Sequence, residues 1–218
     1  MMRREAKMLR RFRLEATPNR TALVLAFAAC VLLPGWSAAN DHDAGHAHHH
    51  PRQSDVMRSA GGYVLPDVRL VRDDGLPVSL PAEFDDGKPV FLAFIYTSCT
   101  TVCPLTSQTL ASLQQGLGRD SRKVHLASVS IDPEEDTPAR LRAYAQRFGA
   151  GPAWRHYTGT TAASVAVQRA FDAYRGDKMN HNPVIFFRPA PGQAWIRFDG
   201  FVSGQDLLSE YASFARGG

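Results

Sequence analysis

Short apolar runs and amphipathic stretches follow one another along this chain. Residues 90–96 form an uninterrupted apolar run, rich in branched and aromatic side chains, which is typical of a strand buried on both faces of a sheet. Residues 124–131, Val-His-Leu-Ala-Ser-Val-Ser-Ile, predict a second core strand, and Asp73-Asp74-Gly75 predicts a turn. Further strands are predicted over residues 64–71, 184–187 and 195–201, of which the last two form a hairpin around Pro191-Gly192.

Amphipathic stretches between these strands predict helices. Pro104 is expected in the first turn of a helix that runs to residue 115, because a first turn leaves its N–H groups unpaired and proline has none. Asp136 is expected to cap a helix that has Pro138 at its first position and ends at residues 148–149. Two more helices are predicted over residues 160–174, with Val165, Ala166, Ala170 and Phe171 on one face, and over residues 205–214.

The order of these elements is strand, helix, strand, helix, then a hairpin and a last helix. Parallel strands joined by helical crossovers, with a hairpin added, place helices on both faces of one sheet. The sequence therefore predicts an α/β fold, a thioredoxin-like sandwich with a central mixed sheet and helices on both faces.

The first 39 residues are predicted to lie outside this fold. Seven Lys and Arg residues precede an uncharged stretch, residues 21–39, which ends in the small-x-small sequence Ser37-Ala38-Ala39. These features predict a signal peptide cleaved before Asn40. The stretch is also close to the roughly 20 residues that span a bilayer, so an uncleaved inner-membrane anchor is the alternative. Both predict an exported, periplasmic domain.

The net charge of +4 comes from this leader, because the rest of the chain has 18 basic and 19 acidic residues. No basic surface for nucleic acid is therefore predicted. Residues 40–54 are rich in histidine and poor in apolar residues, which predicts a disordered tether that binds metal weakly or is simply a solvated linker. Its histidines are His42, His46, His48, His49 and His50. Residues 55–218 then have the length of one ordinary domain.

Cys99 and Cys103 follow the first core strand directly, in the sequence Cys-Thr-Thr-Val-Cys-Pro. Cysteines four residues apart on a forming helical turn point the same way, and a helix N-terminus favours the thiolate form. Two converging thiolates suit copper(I) or a redox-active disulfide. The alternative is a pair of buried structural cysteines.

His181 is the histidine that the predicted topology places nearest to the two cysteines. It lies in a polar loop just before the third core strand, at the sheet edge where open α/β sheets place their sites. His125 and His156 are instead expected to be satisfied core or surface residues. Two thiolates and one imidazole make a set suited to copper(I) and usable for copper(II).

The chain resembles the Sco/SenC family of copper-binding assembly factors of cytochrome c oxidase. The resemblance rests on Cys99-Thr-Thr-Val-Cys103-Pro104, on Ser130-Ile-Asp-Pro-Glu-Glu-Asp136-Thr-Pro138 and on His181, in that order. It implies a thioredoxin-like domain in which Cys99, Cys103 and His181 bind copper. It also implies a copper chaperone rather than an enzyme, which delivers copper to the binuclear site of the copper-bearing oxidase subunit and meets other periplasmic copper chaperones or thiol reductants.

Two departures from the family keep alternatives open. Asn180 and Asn182 flank His181 where the family usually has an acidic residue and a serine, so a carboxylate that would orient the imidazole is missing. Pro183 resembles the cis-proline of thioredoxin-like reductases. The main alternative is therefore a thiol–disulfide oxidoreductase that keeps a client's copper-ligand cysteines reduced. A copper-resistance module without an oxidase client is a further alternative, and Tyr96 argues against a peroxiredoxin, which has a proline there.

Overall fold

The computed structural model describes residues 56–217, so the predicted leader and histidine tether lie outside the described residues. The strands of the described part are β1 Met57–Gly61, β2 Arg69–Arg72, β3 Pro77–Ser79, β4 Val90–Ile95, β5 His125–Ser130, β6 Trp154–Thr158, β7 Val184–Arg188 and β8 Trp195–Asp199. They form one mixed sheet in the order β1-β8-β7-β4-β5-β6-β2-β3. Strands β4, β5 and β6 are parallel, and the other neighbouring pairs are antiparallel.

Helices cover both faces of this sheet, as the sequence predicts. They are α1 Leu80–Phe84, α2 Val102–Leu117, α3 Pro138–Arg147, α4 Thr161–Ala170 and α5 Gly204–Gly217. Successive residues of β4 point to opposite faces. Phe91 therefore packs in a core with Leu113 of α2, while Leu92 packs in a second core with Val167 of α4. All six residues of β4 are buried, which confirms the prediction of a strand covered on both faces.

Three strands were missed by the sequence pattern, and the strand predicted over residues 64–71 is wrong except for its end in β2. Strand β6 has the sequence Trp-Arg-His-Tyr-Thr, so its buried positions do not form an apolar run. Strand β1 is mostly exposed and is held by its backbone ladder to β8. Strand β3 has only three residues. Strands β1 and β6 depend on pairing with strands that are distant in the chain, whereas β3 pairs with β2 across the turn predicted at Asp73-Asp74-Gly75.

Helix α4 differs from its prediction in both length and buried face. It ends at Ala170, because Asp172 takes a left-handed backbone conformation with φ of 48°. Its buried residues are Ser164, Val167 and Gln168, and the predicted face is confirmed only at its end, where Phe171 is completely buried and Ala170 packs against the same core. The Ser164 hydroxyl donates to the Ser130 carbonyl oxygen at 2.7 Å, so a polar contact with β5 sets the orientation of this helix.

The cap of α3 also differs from its prediction. Thr137, not Asp136, occupies the N-cap position, and its hydroxyl accepts a hydrogen bond from the Arg140 N–H at 3.3 Å. Pro138 is at the first helical position, as predicted. The Asp136 carboxylate is thereby free to bind groups from two other segments.

His156 is the residue whose environment departs most from expectation. It is completely buried in β6, and neither ring nitrogen has a hydrogen-bond partner among the described residues. Its ring stacks on Trp154 at a centroid distance of 5.3 Å, and Asp73 Oδ2 is 3.8 Å from Nδ1. Burial lowers the pKa of His156 to about 3. His125, by contrast, lies near the surface with Nε2 2.9 Å from Asp86 Oδ1.

This burial predicts that the domain loses stability in mild acid. Between an ordinary histidine pKa near 6.5 and about 3, the unfolded chain binds a proton at His156 that the folded chain does not. The free energy of unfolding should therefore fall with decreasing pH by about 1.4 kcal/mol per unit from this residue. Burial raises the pKa of Asp73, which acts in the opposite direction.

The comparison of wild type with His156→Phe isolates the histidine, because Asp73 is present in both. Phenylalanine keeps an aromatic ring against Trp154 and removes the two unpaired nitrogens. We expect the variant to be as stable as wild type or more stable near pH 7, with a shallower loss toward pH 4. Urea unfolding at several pH values measures this. An unchanged acid slope in His156→Phe would contradict the assignment.

Candidate metal centre

The carboxyl end of β4 brings together the residues that the sequence singled out. Cys99 lies in the loop after β4, and Cys103 is the second residue of α2, which begins two residues earlier than predicted. His181 lies just before β7. Because β7 pairs antiparallel with β4, the start of β7 lies beside the end of β4. This pairing carries His181 to the cysteines from a distant part of the chain.

The Cys–Cys–His group, Cys99, Cys103 and His181, places its donor atoms within 4.8 Å of one another. The Cys103 Sγ and His181 Nε2 atoms are 3.2 Å apart. Both cysteines are free thiols. Cys103 is completely buried, whereas Cys99 is 7% exposed. Two sulfur donors and one nitrogen donor at this separation fit a soft metal ion with low coordination number.

Backbone N–H groups point at both sulfurs. The Cys103 N–H donates to Cys99 Sγ at 3.3 Å, and the Tyr96 N–H donates to Cys103 Sγ at 3.4 Å. Burial acts to raise the pKa of Cys99, but hydrogen bonds from the backbone of Cys103 and Thr101 outweigh it, so this pKa is lowered. Burial raises the pKa of Cys103 strongly, and the Tyr96 N–H offsets only part of that. The prediction that the helix N-terminus favours both thiolates is therefore wrong for Cys103.

The His181 ring is oriented by a backbone carbonyl. Its Nδ1 atom is 2.8 Å from the carbonyl oxygen of Lys178. Because a carbonyl oxygen only accepts, Nδ1 carries the hydrogen, and Nε2 is left to face Cys103. A carbonyl partner fixes the tautomer of a metal-binding histidine as a carboxylate would. The acidic neighbour that Asn180 replaces is therefore not required for ring orientation.

The histidine loop, residues 177–181, is attached to the rest of the site at two points. Lys178 Nζ donates to Asp132 Oδ2 at 2.6 Å, which raises the pKa of Lys178. Tyr96 packs its ring edge-on against the His181 imidazole, with centroids 5.2 Å apart, and its hydroxyl donates to Met179 Sδ at 3.4 Å. Asp132 thus lies beside the Cys–Cys–His group, and its ion pair with Lys178 holds the histidine loop in place.

Asp136 fastens the start of the cysteine loop to β5. Its carboxylate is 1% exposed and accepts hydrogen bonds from the Thr97 N–H at 3.2 Å and the Thr97 hydroxyl at 2.6 Å. The Ser130 hydroxyl donates to the same carboxylate at 2.6 Å. The sequence pattern did not indicate this role or those of Tyr96 and Lys178. Asp136 could have been singled out because it is an acidic residue within residues 130–138, a segment that carries the family resemblance. Tyr96 gave no such signal because it ends an apolar run.

Other predicted features have different outcomes. No peptide bond among residues 56–217 is cis, so the bond before Pro183 is trans and the likeness to reductase cis-prolines is wrong. Met179 is 71% exposed beside the loop histidine. The weak sites predicted at the tether histidines lie outside the described residues. No helix within residues 56–217 has the length and apolar character that a membrane span requires, and the anchor predicted at residues 21–39 falls outside that range.

The chain thus falls in the class of thioredoxin-like proteins. At the end of its central strand it carries two cysteines and one histidine, a combination of side chains that can bind a metal ion. The SCO1/SenC family model matches residues 60–210. The chain therefore belongs to the SCO1/SenC family.

Relatives and solved structures agree with this assignment. The chain is 33% identical over 86 residues to "SCO1 protein homolog" of Bacillus subtilis (strain 168), a match that covers 39% of this chain and 44% of the relative. It is 29% identical over 154 residues to "Putative copper-binding protein" of Stutzerimonas stutzeri, covering 70% and 68% respectively. Less than half of the Bacillus relative is therefore matched.

Similar folds occur in solved structures of other Sco proteins. The structure of Bradyrhizobium japonicum ScoI with copper bound is 23% identical with a TM-score of 0.60, covering 69% of this chain and 99% of that one. The SCO1/SenC family lipoprotein from Bacillus anthracis str. Ames is 22% identical with a TM-score of 0.63, covering 72% and 98%. At these identities the likeness establishes the fold.

Proposed function

We propose that this chain is an exported copper chaperone that binds one copper ion through Cys99, Cys103 and His181. The observation that carries the proposal is the convergence of two sulfurs and one imidazole nitrogen within 4.8 Å. Thiolate and imidazole donors together suit copper(I), and the imidazole extends the set to copper(II). The copper-bound ScoI structures from Arabidopsis thaliana and Bradyrhizobium japonicum support the same cargo.

We further propose the binuclear copper site of cytochrome c oxidase as the destination. Support comes from the family, since the BsSco protein of similar fold is described as a member of the Sco family of cytochrome c oxidase assembly proteins. In this proposal residues 1–39 export the chain or anchor it in the inner membrane, residues 40–54 are the tether, and residues 55–218 carry copper in the periplasm.

In this proposal Cys99, Cys103 and His181 have different roles in holding and releasing the copper ion. The Cys99 thiol, which has the lowered pKa and is the more exposed, is available as a thiolate at lower pH than Cys103. Cys103 gives up its proton only when a metal replaces it, because its sulfur is buried and receives one backbone N–H. The Lys178 carbonyl keeps the unprotonated Nε2 of His181 directed at the cysteines.

A thiol–disulfide oxidoreductase is the second candidate, and one observation favours it. Cys99 is the partly exposed thiol and Cys103 the buried one, an arrangement that suits an attacking and a resolving cysteine. A disulfide switch is described for the BsSco protein of similar fold. Such an activity is compatible with copper delivery if the client's own cysteines must first be reduced.

Transfer of copper to a reduced client domain tests the delivery proposal. Copper(I)-loaded chain is mixed with the soluble copper-binding domain of the oxidase subunit, and the copper content of each protein is measured after separation. We expect copper to move to the client. A client that accepts copper(I) from a small-molecule donor, but takes none from the loaded chain, would refute delivery.

A further inference from the structure

The sulfur atoms in and around the Cys–Cys–His group differ widely in their exposure to solvent. Cys103 is completely buried and Cys99 is only 7% exposed, whereas Met179, two residues before His181, is 71% exposed. Among the described residues around this group, the Met179 thioether is thus the soft donor that an arriving soft ion meets most readily. An exposed methionine contributes little to packing, so burial does not explain its presence in this loop.

The Met179 sulfur is nevertheless held near the site. The Tyr96 hydroxyl donates to Met179 Sδ at 3.4 Å, and the same tyrosine lies against the His181 ring and donates its backbone N–H to Cys103 Sγ. The Met179 N–H donates to Asp177 Oδ1 at 2.9 Å, which fixes the backbone of the turn. One residue, Tyr96, therefore connects the exposed thioether with His181 and Cys103.

The chemistry of these contacts suits temporary binding. A thioether is a soft but neutral and weak ligand, so an ion bound to it is readily passed to a thiolate. Sulfur is a weak hydrogen-bond acceptor, and the Tyr96 contact is easily given up when the sulfur binds a metal.

We propose that the Met179 thioether is an outer copper(I) ligand, through which the ion enters the Cys–Cys–His group and leaves it. The inference rests on the proposed copper function. The exchange changes no oxidation state: a copper–thioether bond breaks as a copper–thiolate bond to Cys99 forms, and the thiol protons leave to water. Release to a partner is the reverse sequence.

Met179→Leu tests the proposal, because leucine keeps the apolar volume and removes the sulfur. The matched control is Met57→Leu, at a β1 position that is 70% exposed. In the full chain carrying ¹³C-methyl methionine, we expect the methyl signal of Met179 to shift on addition of copper(I) and that of Met57 to stay in place. Transfer of copper(I) to a competing chelator should be about tenfold slower in Met179→Leu, with equilibrium affinity unchanged.

Other outcomes overturn the inference. Transfer as fast in Met179→Leu as in Met57→Leu would show that the thioether takes no part. A clear loss of equilibrium affinity in Met179→Leu would make Met179 a permanent ligand instead of an outer one. The wild-type titration separates the two proposals: tight copper(I) binding with normal transfer in Met179→Leu refutes only this inference, whereas absence of tight binding in wild type refutes the copper function and this inference with it.

Discussion

Cys103→Ser is expected to lower the copper(I) affinity of this chain by more than about 100-fold, since changes to groups behind a metal ligand already cost about 10- to 100-fold. Serine offers a hydroxyl, which is a poor donor for a soft ion. The position is completely buried 3.2 Å from His181 Nε2, so no solvent-exposed group can take its place without rearrangement of the loop. Cys99→Ser should have a similar effect.

Competition with a copper(I)-specific chelator measures the affinity of each variant. Ser98→Ala is the matched control, because Ser98 is exposed and adjacent to Cys99 and should leave affinity unchanged. Thermal unfolding checks that the variants fold. We expect Cys103→Ser to fold, because its hydroxyl can still accept the hydrogen bond that the Tyr96 N–H donates to Cys103 Sγ. Full copper affinity in either serine variant would place the site elsewhere.

His181→Ala is expected to separate the two proposed functions. Two thiolates alone hold copper(I), but copper(II) binding should be lost because the imidazole is the one nitrogen donor of the group. An oxidoreductase needs its thiols and their pKa environment. The pKa of Cys99 is lowered mainly by backbone hydrogen bonds, which this change leaves in place. Dithiol oxidation should therefore stay near the wild-type rate.

Two assays on the same variant decide between the functions: copper(II) titration, and disulfide exchange with a reduced client peptide. His125→Ala is the matched control, because it removes an imidazole that binds Asp86 instead of facing the cysteines. Unchanged copper(II) affinity in His181→Ala, together with fast thiol exchange, would favour the oxidoreductase over the chaperone.

The local part of the site follows from the sequence. The apolar run of β4 and the two cysteines directly after it specify a buried strand, a loop and a helix start, and these elements are adjacent along the chain. The alternation of strands and helices was also sufficient for the fold class, because parallel strands with helical crossovers leave few arrangements. The edge on which His181 lies followed from that topology.

Elements held by distant partners escaped the sequence pattern. Strand β1 depends on its ladder with β8, and β6 buries Trp154, His156 and Tyr157 although its sequence mixes polar and aromatic residues. The buried face of α4 includes Ser164, whose hydroxyl donates to the Ser130 carbonyl of β5, and helical periodicity of apolar residues does not indicate such a polar contact. Burial in these elements is decided by what covers them.

The sequence by itself determined the donor types, two thiols and an imidazole, and the fold that brings them to one edge. Only the tertiary structure decided how those donors are set up. The antiparallel pairing of β7 with β4 brings His181, which has the Lys178 carbonyl oxygen at its Nδ1, to the cysteines, and the packing of α2 and α3 buries Cys103 completely while Cys99 is 7% exposed. Asp136 likewise serves Thr97 and Ser130 rather than its own helix. The physical reason is that the burial that raises the pKa of Cys103 and the hydrogen-bond partners of Asp136 come from segments far away in the chain.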